Sequence, residues 1–293
     1  MSLKLWGKKL VSRENRLPSV SLSSHSEFLW TKSIPVLVLE YKTMSLSNIE
    51  KVIAIDGPAG SGKSTLARMI AHKIGYLYLD SGAYYRALTL AIWEKFLETK
   101  EDESKFPFYT EKLADATLLE KDEAEFGFSV AKIPVHCELS STGENLMFLG
   151  ERDISLEIRD PEITKKIRYI APRRAFREIL NHHIREFAKT HQLVMDGRDI
   201  GTEVFPKSKF KFFLTASVEV RAKRRYDELV AKGFKADLDH IKEEIVARDE
   251  SDTTRTVAPL KQASDAILID TSTLDTETVL NTILSKVSSS GQI

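Results

Sequence analysis

The sequence predicts an α/β fold in which a five-stranded parallel sheet is flanked by helices. Three observations carry this. Short apolar, β-branched runs alternate with stretches of helical spacing over most of the chain, the pattern of successive strand–helix units. The first of these runs, KVIAID at residues 51–56, leads directly into GPAGSGKST, which reads G-x-x-x-x-G-K-S. No run of 18 apolar residues interrupts the 293-residue chain, so no membrane-spanning helix competes with a packed core.

Taken in order, residues 51–56 have the continuous apolar character of a buried parallel strand, and 66–74 have the spacing of a helix. Between them the glycines let successive N–H groups point at one phosphate, with the helix N-terminus behind it. Gly57, Pro58, Ala59, Gly60, Ser61, Gly62, Lys63, Ser64 and Thr65 therefore read as the ATP-binding loop. Lys63 is expected to reach the β- and γ-phosphates and the Ser64 hydroxyl to bind Mg²⁺. Residues 76–80 form a second strand, and Ser81 is the expected N-cap of a helix to about Thr99. Residues 101–125 are charged and aperiodic and read as helical turns and loop. Strands at 136–140 and 145–149 flank the turn 141–144, a hairpin within a small antiparallel insertion near 125–150. Asp160-Pro161 is an N-cap and N1 pair, opening a helical stretch broken at Pro172 and ending near Thr190. The third strand, 192–196, runs into Gly197-Arg198-Asp199. The fourth, 210–214, is followed by Ser217 and a charged helix to Lys232, then an amphipathic helix at 238–249. A fifth strand at 266–270 and a helix at 277–287 close the chain.

Composition narrows the function. Lys plus Arg and Asp plus Glu both number 43, and zero net charge argues against general nucleic-acid binding. Cys137 is the only cysteine, so no internal disulfide forms, which suits a reducing cytoplasm. Residues 1–43 differ from the rest, with seven Lys/Arg, three Asp/Glu and eight serines. Their basic, Ser-rich bias is that of a transit peptide, but Glu14, Glu27 and Glu40 oppose this. A disordered extension, or a start codon set too early, fits the composition better.

Asp196 ends an apolar strand, where an acid can hold Mg²⁺ through water. Arg198 and Asp199 share its turn, at the carboxyl edge of the sheet where open α/β folds bind ligands. Arg86, Arg177, Arg221, Arg225, Arg248 and Arg255 also lie near element ends, and arginine suits bidentate phosphate contacts. Arg248 and Arg255 flank Asp249-Glu-Ser-Asp252, where the helix is expected to stop. His182-His183 has no partner at metal-ligand spacing and reads as helix surface. A GTPase would carry Asn/Thr-Lys-x-Asp, and Thr31-Lys32 and Thr164-Lys165 lack the Asp. A motor ATPase usually adds a second acid after Asp196, where Gly197 stands. A small-molecule kinase remains.

These residues resemble the bacterial-type cytidylate kinases, P-loop nucleoside monophosphate (NMP) kinases. The resemblance rests on GPAGSGKST (57–65), LDSGAYYR (79–86), GERDISLEIRDPEI (150–163), DGRDIGTEVFP (196–206), LTASVEVRAKRRY (214–226) and RDESDTTRTVAPL (248–260). Adenylate kinases would show Asp-Gly-Phe-Pro-Arg in place of Asp196-Gly-Arg-Asp199. The resemblance implies an NMP-kinase domain over 50–293, with residues 1–49 outside it. Within the domain it implies an NMP-binding region at about 81–190, enlarged by the insertion, and a short lid at about 219–237. It assigns Ser81, Tyr85, Arg86, Arg198, Arg248, Asp252 and Arg255 to the CMP phosphate and sugar, and Arg177 and Asp199 to cytosine. It assigns Arg221 and Arg225 to the ATP side, and catalysis to Lys63, Arg198 and Arg255. The implied reaction is direct, in-line transfer from ATP to CMP or dCMP, with Mg²⁺. The protein is expected to be cytoplasmic and monomeric, with ATP and CMP or dCMP as partners and no nucleic acid or membrane. A second reading is a nucleotide-binding regulator or scaffold, which the intact Lys63, Ser64, Arg198 and Arg255 oppose. One position departs from the family: Arg168 stands where a serine helps hold cytosine, so it either enters the site or lies on a solvated face.

A chain beginning at Met44 is expected to keep its activity and thermal stability, since both the composition break and the end of the resemblance lie beyond the removed segment. A lower melting temperature in the shortened protein would show that residues 1–43 pack on the domain.

Overall fold

The computed structural model describes residues 50–140 and 145–288. The N-terminal extension and the hairpin turn at 141–144 lie outside the described residues. Strands β1 (Ile53–Asp56), β2 (Leu77–Asp80), β6 (Leu193–Gly197), β7 (Phe210–Thr215) and β8 (Ile267–Asp270) form one sheet in the order β2-β6-β1-β7-β8. All four pairings are parallel. Each strand of the sheet starts within two residues of its sequence-predicted start.

Alternation along β1 divides the core. Ile53 and Ile55 face helix α1 (Lys63–Ile74) and the C-terminal helix α9 (Thr276–Ser288), against Leu66, Ile70, Leu280 and Ile283. Val52 and Ala54 face the opposite side, where α2 (Ser81–Glu98) and α6 (Arg174–Thr190) bury Leu88, Ile92, Phe176 and Leu180. Both faces of β1 are thus removed from water, which is why its sequence is apolar at every position before Asp56. Among the described residues no helix is long and apolar enough to cross a membrane.

Residues 101–125 differ from expectation. They hold a 13-residue helix, α3 (Phe106–Leu118), and a short one, α4 (Asp122–Phe126). Phe106, Thr110, Leu113, Ala114 and Thr117 do recur at helical spacing, but two of the five are threonines and charges cover the outer face. What holds α3 is aromatic packing across elements. The Phe106 ring lies 4.9 Å from Trp93 and 5.3 Å from Phe96, both on α2, with near-edge geometry.

The insertion follows as β3 (Val135–Leu139), β4 (Asn145–Leu149) and the two-residue β5 (Arg152–Asp153), an antiparallel three-stranded sheet. Asp160 caps α5 (Pro161–Lys166) by accepting from Glu162 N at 2.7 Å, as the Asp-Pro pair predicts. The chain breaks through Pro172 before α6, on which His182 is exposed and His183 half-buried. Beyond β7, Ser217 caps α7 (Val218–Ala231). Helix α8 (Leu238–Thr254) returns against it around Ala222, Ile241 and Ile245. It does not stop at Asp249: Arg248, Asp249 and Asp252 all lie on its last turns, which fixes their spacing on one rigid element.

Candidate active site

The loop after β1 is shaped by close backbone approach. Gly57 has φ +147°, and a Cβ there would sit 1.9 Å from Leu214 O on β7, so no larger residue fits. Gly62, at φ 88°, turns the chain into α1. Lys63 is buried, and its Nζ donates to Pro58 O (2.6 Å) and Ser61 Oγ (3.4 Å). Burial holds the ammonium well below its ordinary pKa, and the nearby Arg198 charge adds to this. An anion beside Nζ would oppose both effects.

Three elements meet at Asp196, at the end of β6. Its Oδ2 accepts from Ser64 Oγ and its Oδ1 from Tyr78 OH, each at 2.7 Å, while its backbone O accepts from Ser81 Oγ at 2.8 Å. Burial and the Asp80 charge push Asp196 up, opposed by Lys63 and the two hydroxyls. Ser81 is therefore not the N-cap it was expected to be. Asp80 takes that position, and the Ser81 hydroxyl is turned to the strand.

The turn after β6 projects Arg198 and Asp199 toward different partners. Asp199 pairs with Arg177 of α6, both almost fully buried, and Arg177 Nη1 also donates to Ala171 O at 3.1 Å. The Arg177 guanidinium lies 5.3 Å from the centre of the Tyr85 ring, and Arg255 Nη2 lies 3.6 Å from Asp199 Oδ1. Arg198 Nε donates to Asp252 Oδ2 at 2.7 Å, and Arg86 Nη2 to Asp80 Oδ2 at 2.8 Å. Tyr85 OH, Arg86 Nε and Arg255 Nη2 are buried without a hydrogen-bond partner. Loss of hydration, then the charge of Arg198, holds Arg248 below its ordinary value; for Arg255 it is loss of hydration, then Arg177. Arginine stays protonated regardless, so these shifts register repulsion and lost hydration that a bound phosphate would relieve.

The structure thus brings Lys63, Ser64, Asp196, Ser81, Tyr85, Arg86, Arg177, Arg198, Asp199, Arg248, Asp252 and Arg255 around the carboxyl edge of the sheet. A cleft of about 840 Å³ runs from the loop past Arg225 and Arg248 to Thr276. Arg221 is elsewhere. It is buried beneath the loop, where Nε donates to Ala216 O (2.9 Å), Nη1 donates to Ala59 O (3.1 Å), and Nη1 also pairs with Asp249 (2.6 Å). It holds the loop and does not line the cleft. Arg224 lines it instead and donates to Thr271 Oγ1 (3.1 Å) and Thr271 O (2.7 Å). Sequence reading passed over Arg224, although its spacing of three from Arg221 was the available signal. Arg168 is exposed, donates to Tyr169 OH at 2.6 Å, and lines a separate small groove beside α3 and α5.

Comparison with known proteins agrees with this arrangement. The cytidylate kinase family profile matches residues 53–289. A cytidylate kinase of Streptococcus equi subsp. equi is 41% identical over 234 residues, covering 80% of this chain and 94% of the relative. Cytidylate kinases of Streptococcus pyogenes serotype M5 and Streptococcus pneumoniae are 42% and 43% identical, covering 80% and 79% of this chain and 94% of each relative.

Replacing Lys63 by Ala is expected to leave the fold intact and to cut turnover by about 10²-fold or more, the scale of losing a donor to developing charge. Circular dichroism and single-turnover rates check this, and a folded variant with more than a tenth of the rate removes Lys63 from catalysis. Arg168→Ser, by contrast, should leave KM for the acceptor unchanged, because the side chain is exposed and lines a separate groove; a several-fold change would bring it back into the site.

Proposed function

The chain belongs to the cytidylate kinase family, and from that membership we propose how its cleft phosphorylates CMP and dCMP with ATP. The observation that supports this best is the buried Arg177–Asp199 pair, its Asp199 in the turn that also carries Arg198, with Tyr85 OH and Arg255 Nη2 buried without hydrogen bonds. Cytosine carries a 4-amino donor and acceptors at N3 and O2. Asp199 accepts from the amino group, and Arg177 donates to the acceptors. Uracil sets its O4 against the carboxylate, acceptor facing acceptor, and a site built for a donor rejects such an analogue strongly.

The remaining residues divide by distance from the base. Arg86, Arg198, Arg248 and Arg255 take the acceptor phosphate. Tyr85 and Ser81 border the same end, and Asp252 orients Arg198 toward it. Lys63 and the loop amides hold the donor phosphates, and Arg224 and Arg225 edge the ATP side. Transfer is direct and in line, driven by positioning and by cancelling charge on the transferring group. Residues 81–190 receive the acceptor, and the α7–α8 hairpin serves as lid and excludes water on closing.

Mg²⁺ suits the residues present. Ser64 Oγ and the Asp196 carboxylate are hard oxygen donors 2.7 Å apart. Among the described residues no group of three or more His, Cys, Asp or Glu could hold an ion alone. That matches a cation that keeps water and substrate oxygens in its shell. When bound, Mg²⁺ supplies charge neutralisation on the phosphates.

Steady-state ADP release with CMP, dCMP, UMP and AMP tests the reading. CMP and dCMP should exceed UMP by about 10²-fold or more in kcat/KM, because uracil lacks the donor that the buried carboxylate pairs. No acceptor-dependent ADP with any of the four would return the chain to a nucleotide-binding regulator. Asp199→Asn should lower the CMP/UMP ratio of kcat/KM, because an amide can present its NH₂ to uracil O4. An unchanged ratio would take Asp199 off the base.

A further inference from the structure

The turn Ile200–Val204 after Asp199 is a short, wide helical turn whose first N–H groups need acceptors. An aspartate at its N-cap position would ordinarily supply them. Asp199 holds that position with φ −147° and ψ 24°, yet makes no side-chain cap. Its carboxylate is turned to Arg177 and Arg255. The missing acceptors come from another strand. Asp56, at the end of β1, accepts from Ile200 N through Oδ1 (2.8 Å) and from Gly201 N through Oδ2 (2.7 Å). The two strands run in parallel with Asp56 opposite Gly197, so the contact crosses from one strand end to the next.

We propose that Asp56 is a positioning residue for the acceptor: by capping the turn in place of Asp199, it frees the Asp199 carboxylate for the base and fixes Arg198 and Asp199 relative to the phosphate loop. This rests on the reading that Asp199 meets cytosine. Three facts support it. Asp56 is 5% exposed, and a carboxylate is costly to bury unless its oxygens are bonded. Burial pushes it up to about 7, and the amides of Gly201 and Ile200 are the leading groups acting against that. The residue after it, Gly57, begins the loop under the close constraint of Leu214, so Asp56 links the start of the phosphate loop to the turn that carries Arg198 and Asp199.

Two variants attack the contact from opposite sides. Asp56→Asn keeps the size of the side chain, but its NH₂ faces a backbone N–H, donor against donor. Gly201→Ala leaves Asp56 in place and puts a Cβ 3.3 Å from its Oδ2 and 3.2 Å from Lys211 Cδ. Kinetics with CMP, UMP and ATP varied separately read the result. Asp56→Asn should raise KM for CMP on the order of tenfold and lower the CMP/UMP ratio of kcat/KM, as misplacement of a reacting group does, with KM for ATP within about twofold. Gly201→Ala should shift both quantities the same way and by less. The double variant should fall short of the product of the two, since both break one contact.

An acceptor KM unchanged in both variants, or equal rises for CMP and ATP, would overturn the proposal and leave Asp56 a support of the loop alone. If Asp56→Asn does not fold, Gly201→Ala decides. Failure of the base reading looks different: Asp199→Asn would then keep the CMP/UMP ratio of the parent, whatever Asp56→Asn does.

Discussion

The cleft takes its shape from the carboxylate of Asp196. It ties a hydroxyl from α1, a phenol from β2 and, through its backbone oxygen, the first residue of α2 to the end of one central strand. Each of those elements carries a different part of the site. With one side chain as common reference, the phosphate loop and the start of the acceptor region cannot drift apart independently. The cost is a buried acid, met by two hydroxyl donors and the field of Lys63.

The same economy of charge runs through the rest of the site. Three arginines of the site each meet a carboxylate from a separate element: Arg86 meets Asp80, Arg198 meets Asp252, Arg177 meets Asp199. Such pairs add little net stability when buried, because desolvation offsets much of the attraction. Their use is geometric. A guanidinium held at a fixed place by a carboxylate needs no reorganisation when a phosphate arrives, and the excess of cations makes the phosphate the favoured partner.

The fold was legible wherever a signal was local. The strand before the loop, the loop itself and the Asp160-Pro161 cap were all set by residues next to one another in sequence, and the structure has each in place. Reading failed where neighbours in space decided. Helix α3 is held by aromatic rings of α2, which its own residues do not announce. Arg221 looked like a ligand residue because of its motif, yet its direction on α7 aims it under the loop, while Arg224, one turn on, reaches the cleft. Ser81 fits a cap by type, but a buried carbonyl of β6 claims its hydroxyl. The residues assigned to the acceptor emerged from resemblance; what composition and spacing could not show is that Asp56, 144 and 145 positions from the amides it meets, caps their turn.

The way the α7–α8 hairpin is fastened has a thermodynamic consequence. Arg221 joins Ala59 O of the loop to Asp249 on α8, so the base of the hairpin is pinned while its tip, with Gly233 and the exposed Phe234, is not. One helix of the pair carries Arg224 and Arg225 and the other carries Arg248 into the same cleft; on the function proposed above, the first two meet the nucleotide donor, and Arg248 and Asp252 the acceptor. Whatever orientation one substrate selects, the other meets. The two affinities are then linked, and linkage is reciprocal: the factor by which ATP tightens CMP is the factor by which CMP tightens ATP. On that reading, a hairpin whose one closed orientation suits both substrates would make the ternary complex more populated than two independent pockets would.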